Sequence, residues 1–121
     1  MNAPAYRLDG RPATREQFYA VACDPRRHVV VEACAGAGKT WMLVSRIVRA
    51  LLDGAQPQEI LAITFTRKAA GEMRTRLAQW LAEFAHLDEV QAVGALRERG
   101  VAAADAPRQA AVLVALHERL L

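Results

Sequence analysis

The sequence predicts an α/β fold: a parallel βαβ core, incomplete, followed by helices. Three observations carry this. Two short apolar runs, residues 28–33 and 60–65, each lead into a stretch of helical periodicity. A loop of small residues joins the first run to its helix. Past Leu87 the pattern turns helical throughout. A chain of 121 residues is enough for one modest core.

Residues 1–13 carry Pro4, Gly10 and Pro12 without periodicity and read as an irregular lead-in. Thr14-Arg15-Glu16-Gln17 fits a capping box, with Thr14 as N-cap and Gln17 three residues on. A short helix is expected from Arg15 to about Cys23, and Pro25 disfavours its continuation. His28-Val29-Val30-Val31-Glu32-Ala33 reads as a buried strand. The loop Cys34-Ala35-Gly36-Ala37-Gly38 follows, then a helix from Lys39 to Leu52. Its apolar positions are Leu43, Ile47, Ala50 and Leu51, with Arg46 and Arg49 on the other side. Gly54 suits the position after a helix, and Pro57 is a stop signal.

Ile60-Leu61-Ala62-Ile63-Thr64-Phe65 is the second expected strand. The next helix runs from about Arg67 to Ala85, with Thr66 as N-cap and Ala70, Met73, Leu77, Trp80, Leu81 and Phe84 as its apolar face. Strand, helix, strand, helix in this order implies a right-handed crossover and parallel strands. Two further helices are expected, Asp88 to Arg99 and Pro107 to Leu121, separated by Gly100 and an alanine-rich turn. Val112, Leu116 and Leu120 repeat at helical spacing in the last one, and the chain is expected to be truncated there.

Composition excludes several classes. Hydrophobic residues make up 53%, too many for general disorder. No apolar run reaches the roughly 20 residues of a membrane-spanning helix. The N-terminus lacks the apolar segment of a secretory signal, so a cytoplasmic location and no membrane partner are expected. Cys23 and Cys34 cannot alone make a metal site, and a structural disulfide is not expected. The net charge of +3 is compatible with nucleic acid without arguing for it.

The chemistry sits in Ala33-Cys34-Ala35-Gly36-Ala37-Gly38-Lys39-Thr40, a phosphate-binding loop pattern with Ala33 at the first glycine position. Small residues let successive backbone N–H groups converge on oxygens. The loop opens a helix, whose N-terminal dipole favours an anion. Lys39 would meet the β- and γ-phosphates as a point charge, and Thr40 would offer its hydroxyl to Mg²⁺. Read as a residue alone, Gln17 is first a capping residue, although its amide could also pair with an adenine edge. Thr64-Phe65-Thr66-Arg67-Lys68 lies at the carboxyl end of the second strand, where such sheets bind ligands. A ring beside hydroxyls and cations suits single-stranded nucleic acid, but a core phenylalanine ahead of a capped helix fits these residues as well. Cys34 reads as a small filler rather than a reactive thiol, and Trp41 and Trp80 read as packing residues.

Together, ATREQ, VVVEACAGAGKTWMLVSRIVRALL and ILAITFTRKAAGEMRTRL resemble the opening motifs of superfamily 1 DNA helicases of the UvrD/Rep type. The resemblance covers roughly Thr14 to Leu77, and the VEACAGAGKTW wording is nearest to the large subunits of recombination-repair helicase–nucleases. It implies a RecA-like P-loop domain over residues 14–87 and an inserted helical subdomain beginning in 88–121. It implies ATP and Mg²⁺ as cofactors and single-stranded DNA as ligand. It implies two partners, the remainder of the helicase chain and a helicase–nuclease subunit. Gln17 matches the motif that reads adenine, which reverses its capping-first reading. Gly36, Gly38, Lys39 and Thr40 match the Walker A loop, and Thr64, Phe65 and Thr66 the segment that grips DNA. Lys68 and Arg74 fall in the helix that follows. The family's metal-binding D-E-x-Q motif follows a strand, whereas Asp88-Glu89-Val90-Gln91 here follows a helical pattern and reads as a decoy. The expected function is that of the ATP-binding part of a DNA helicase in repair or recombination. The chain by itself is not expected to hydrolyse ATP at a helicase rate. A P-loop kinase or other nucleotide-binding module is the alternative, which the TFTRKAA segment disfavours. A non-catalytic, helix-rich interaction domain is a third.

Overall fold

The computed structural model describes residues 5–33 and 38–120. The chain opens on an antiparallel hairpin, β1 (Tyr6–Leu8) and β2 (Arg11–Ala13), with Leu8 opposite Arg11. Asp9 and Gly10 form its turn with φ of 49° and 80°. Two successive positive φ values match the twist of the flanking strands, and Asp-Gly is a favoured pair for them. Pro12 faces Arg7 at a position between ladder bonds, where its missing N–H is not needed. Residues 5–13 of the expected irregular lead-in are therefore ordered by their turn.

Among the described residues five α-helices follow: α1 (Arg15–Ala22), α2 (Lys39–Leu52), α3 (Arg67–Phe84), α4 (Glu89–Glu98) and α5 (Ala106–Arg119). Pro57 does not merely stop a helix; it opens a single 3₁₀ turn, Pro57–Glu59. Thr14 and Thr66 cap α1 and α3 as expected, and Asp88 caps α4.

The main core joins α2, α3, α4 and α5 through Val48, Leu51, Leu81, Phe84, Leu96, Leu113 and Leu116. A smaller cluster of Tyr19, Ala22, Cys23 and Met42 ties α1 to α2, with Tyr6 of the hairpin packed against it. The α3 face is the expected one. The α2 face is rotated from it: Met42, Val44, Ser45, Val48 and Leu51 are buried and Leu43 is exposed. On α5 the buried row is Ala106, Ala110, Leu113 and Leu116, while Val112 faces out. On both helices, neighbours on more than one side select a wider face than a single apolar stripe.

Among the described residues the two expected strands are not formed. Residues 28–33 and 60–65 pair with no strand, and the one sheet among the described residues is the antiparallel hairpin. Val30 is 93% exposed, Leu61 83% and Ile63 82%. The physical reason is local. A β-branched run becomes a strand only when another backbone completes its hydrogen bonds. Among the described residues no backbone pairs with either segment. Both segments still border one face of α2, near Leu43 and Arg46. Among the described residues the expected βαβ core is thus present as an order of segments, and its parallel sheet is not formed.

Candidate functional site

The capping box at the start of α1 is closed in both directions. Gln17 N–H donates to Thr14 Oγ1 at 3.1 Å, and Thr14 N–H donates to Gln17 Oε1 at 2.9 Å. Gln17 is exposed, and the bond to Thr14 leaves its amide NH₂ free to donate among the described residues. Capping and base contact are therefore compatible at this side chain.

Lys39 is the first residue of α2. Its N-cap is Gly38, with φ of 84°, and no side chain caps the helix. Lys39 is exposed and Thr40 half-buried. Cys34, Ala35, Gly36 and Ala37 lie outside the described residues. A cavity of about 720 Å³ opens beside Gly38 and Lys39. Glu32 and Ala33 line it, as do Tyr6, Arg7 and Asp9 of the hairpin and Phe18 and Tyr19 of α1. Its size lies in the range of small-molecule sites. The hairpin and Glu32 are the residues that sequence reasoning missed here. The Asp9-Gly10 pair was the available signal for the hairpin.

The second candidate segment ends at α3. Thr64 Oγ1 donates to the Thr66 carbonyl oxygen at 2.9 Å, and Thr66 Oγ1 accepts from Ala69 N–H at 3.0 Å. Phe65 is fully exposed, so it is not a core residue. Arg67, Lys68 and Arg74 are exposed as well. Four candidate DNA-facing residues, Thr64, Phe65, Thr66 and Lys68, thus lie in one short stretch around the start of α3.

Residues 13–116 match the UvrD/REP helicase N-terminal domain. The chain belongs to this family. An ATP-dependent helicase/nuclease subunit from Lactobacillus acidophilus is 46% identical over 65 residues, which are 53% of this chain and 5% of that protein. The protein of the same name from Acetivibrio thermocellus is 45% identical over 73 residues, 58% of this chain and 6% of the relative. DNA helicase II of Escherichia coli is 48% identical over 65 residues, 53% of this chain and 9% of the relative. The chain spans less than a tenth of the length of these relatives. No solved structure matches it.

In this UvrD/REP domain Asp88 and Gln91 open α4. Gln91 N–H donates to Asp88 Oδ1 at 2.8 Å, and Asp88 N–H donates to Gln91 Oε1 at 3.0 Å. The D-E-x-Q run is a capping box following α3, as its helical context suggested. Among the described residues no three His, Cys, Asp or Glu side chains gather to hold a metal. No helix of the described residues is long and apolar enough to cross a membrane.

Trp41 and Trp80 do pack, as expected, but around cations. The Arg99 guanidinium lies 4.2 Å from the Trp80 ring centre and 5.1 Å from that of Trp41. Burial pushes the Arg99 guanidinium down to about 10, so it stays charged at neutral pH. Burial pushes the Cys23 thiol up to about 11, against the opposing pull of Arg49, Arg46 and Arg99.

Proposed function

We propose that this domain holds ATP-Mg at the turn before α2 and single-stranded DNA at residues 64–66, as the ATP-binding part of a DNA helicase in repair or recombination. One observation carries the nucleotide reading. Lys39 is a cation in the first turn of a helix with no side-chain cap. A cation there opposes the helix dipole, and the first N–H groups lack a local acceptor. An anion corrects both faults at once. A cavity of about 720 Å³ beside it, lined also by the hairpin and α1, supports this reading.

In this reading Lys39 would bind the β- and γ-phosphates, and Ala33, Cys34, Ala35, Gly36, Ala37 and Gly38 would supply backbone N–H groups for their oxygens. Thr40 is the residue of this chain that would hold Mg²⁺, which supplies charge neutralisation on the phosphates when bound. Gln17 would donate its amide N–H to adenine. Phe65 offers a base a free ring face, and Thr64, Thr66 and Lys68 lie beside it for the backbone phosphates. Residues 14–87 would form the ATP-binding part and 88–121 the start of a helical insertion. The partners this reading expects, in the cytoplasm, are the remaining helicase chain and a helicase–nuclease subunit. The names of the relatives support ATP dependence and a DNA substrate.

The test is calorimetric binding of a non-hydrolysable Mg-ATP analogue to the chain and to its Lys39→Ala variant, with circular dichroism of both. Binding by the parent and loss in a folded variant is the expected result. Equal binding by the two would remove Lys39 from the site and the reading with it.

A further inference from the structure

We infer that Arg99, at the end of α4, is a positioning residue for the start of α2, acting through Trp41. The inference rests on the proposed nucleotide site at the turn before α2.

The start of α2 has little local definition. Helices α1, α3 and α4 each carry a side-chain cap, and α2, like α5, carries none. Its N-cap is Gly38, whose missing Cβ leaves the entry angle of the helix free. Something else must set how the first turn is rotated. Trp41 directly follows Thr40 and is the large side chain of that turn.

Trp41 is held from several elements. Its ring lies 5.1 Å from that of Tyr19 at 71°, and 5.8 Å from that of Trp80 at 66°. Two guanidiniums, Arg15 of α1 and Arg99, each lie 5.1 Å from its centre. Arg15 Nη1 also donates to the Glu98 carbonyl oxygen at 3.0 Å, next to Arg99. Helices α1, α2 and α4 are therefore tied together at this one indole.

Arg99 is an unusual residue to find there. It is 5% exposed, and it makes no ion pair among the described residues. Its Nη1 donates to the Ala95 carbonyl oxygen at 2.8 Å, and its Nε has no hydrogen-bond partner among the described residues. What faces it is aromatic: Trp80, Trp41, and Phe84 at 5.1 Å. A buried cation is tolerated over ring faces because their quadrupoles are negative there. The planar guanidinium also stacks, which an ammonium cannot do. The contact fixes the ring of Trp41 from a helix nearly sixty residues further along the chain. That ring in turn fixes the direction in which Lys39 and Thr40 leave α2.

The test uses the 121-residue chain with Trp80→Phe, which leaves Trp41 as the sole tryptophan. Arg99→Met and Arg99→Lys are compared for affinity toward a non-hydrolysable Mg-ATP analogue, for the change in Trp41 emission on binding, and for melting. Arg99→Met is expected to melt cooperatively, bind about tenfold more weakly and lose the emission change. Arg99→Lys, with charge but no planar fork, should recover only part. In the otherwise unaltered chain, adding Arg99→Met to Trp41→Leu should weaken binding no further, because Arg99 acts through that ring. Undiminished affinity with an intact emission response in Arg99→Met overturns the inference and leaves the nucleotide site standing. Additive losses in the double variant overturn it too. A parent chain that binds no nucleotide overturns the site reading, and the inference falls with it. If Arg99→Met fails to fold, Arg99→Lys decides on the same readouts.

Discussion

Arg46 Nη1 donates a 2.9 Å hydrogen bond to the carbonyl oxygen of Ala22, across 24 residues of chain. Its other terminal nitrogen donates to the carbonyl oxygen of Arg27. One side chain of α2 thus holds the end of α1 and the loop that leads to residues 28–33. Arg46→Met keeps the stem and removes both bonds. It should lower stability by about 1.5–3 kcal/mol, the range for a hydrogen bond to a charged group. Urea denaturation measures this, and an unchanged midpoint would show that water replaces the guanidinium without loss.

Gly100→Ala is expected to be the most damaging small substitution. Gly100 has φ of 84°, and a Cβ there would stand 2.3 Å from the backbone carbon of Tyr19. Backbone cannot give way as a side chain can, so α4 and α1 would have to separate. The expected loss is about 3 kcal/mol or more. Gly54→Ala is the control. Its φ is 104°, but nothing lies within 4 Å of the added carbon. Only backbone strain remains there, about 1–2 kcal/mol. Melting of the two variants side by side should separate them clearly.

Phe65→Ala should leave melting unchanged, because a fully exposed ring creates no cavity when removed. Affinity for single-stranded DNA should fall by about 1–3 kcal/mol, the range for one base–aromatic stack. Fluorescence anisotropy with a short labelled strand gives the number. Unaltered affinity would assign the ring no part in DNA binding.

Stability should fall at alkaline pH in part through Cys23. Burial pushes its thiol up to about 11 in the folded chain from an ordinary 9.0. A raised folded value favours the protonated form. That contribution is complete below about 9 and is lost as pH rises towards 11. Cys23→Ala should therefore flatten the stability profile between those two values. A profile of equal slope in the variant would locate the alkaline loss elsewhere.

The helices were legible because their signals are local. Thr14 with Gln17, Thr66 before α3 and Asp88 with Gln91 are cap chemistry that needs no distant partner. Lys39 at the head of α2 was legible for the same reason. The segments 28–33 and 60–65 were read as strands from composition, yet a strand is a relation between two backbones. The hairpin escaped because each of its strands has three residues and one contains Pro12. Arg99 escaped altogether. Nothing in its own neighbourhood announces three aromatic rings contributed by α2 and α3.

Val30, Leu61 and Ile63 also bear on how the chain behaves at high concentration. Their segments carry apolar side chains beside backbone groups that, among the described residues, no strand satisfies. Such an edge accepts any extended chain of suitable pattern, including another copy of itself. Colloidal stability of the isolated polypeptide is then set at these residues and not by the well-packed helices. Light scattering should rise with concentration while helical circular dichroism holds steady, and Leu61→Lys with Ile63→Lys should suppress that rise.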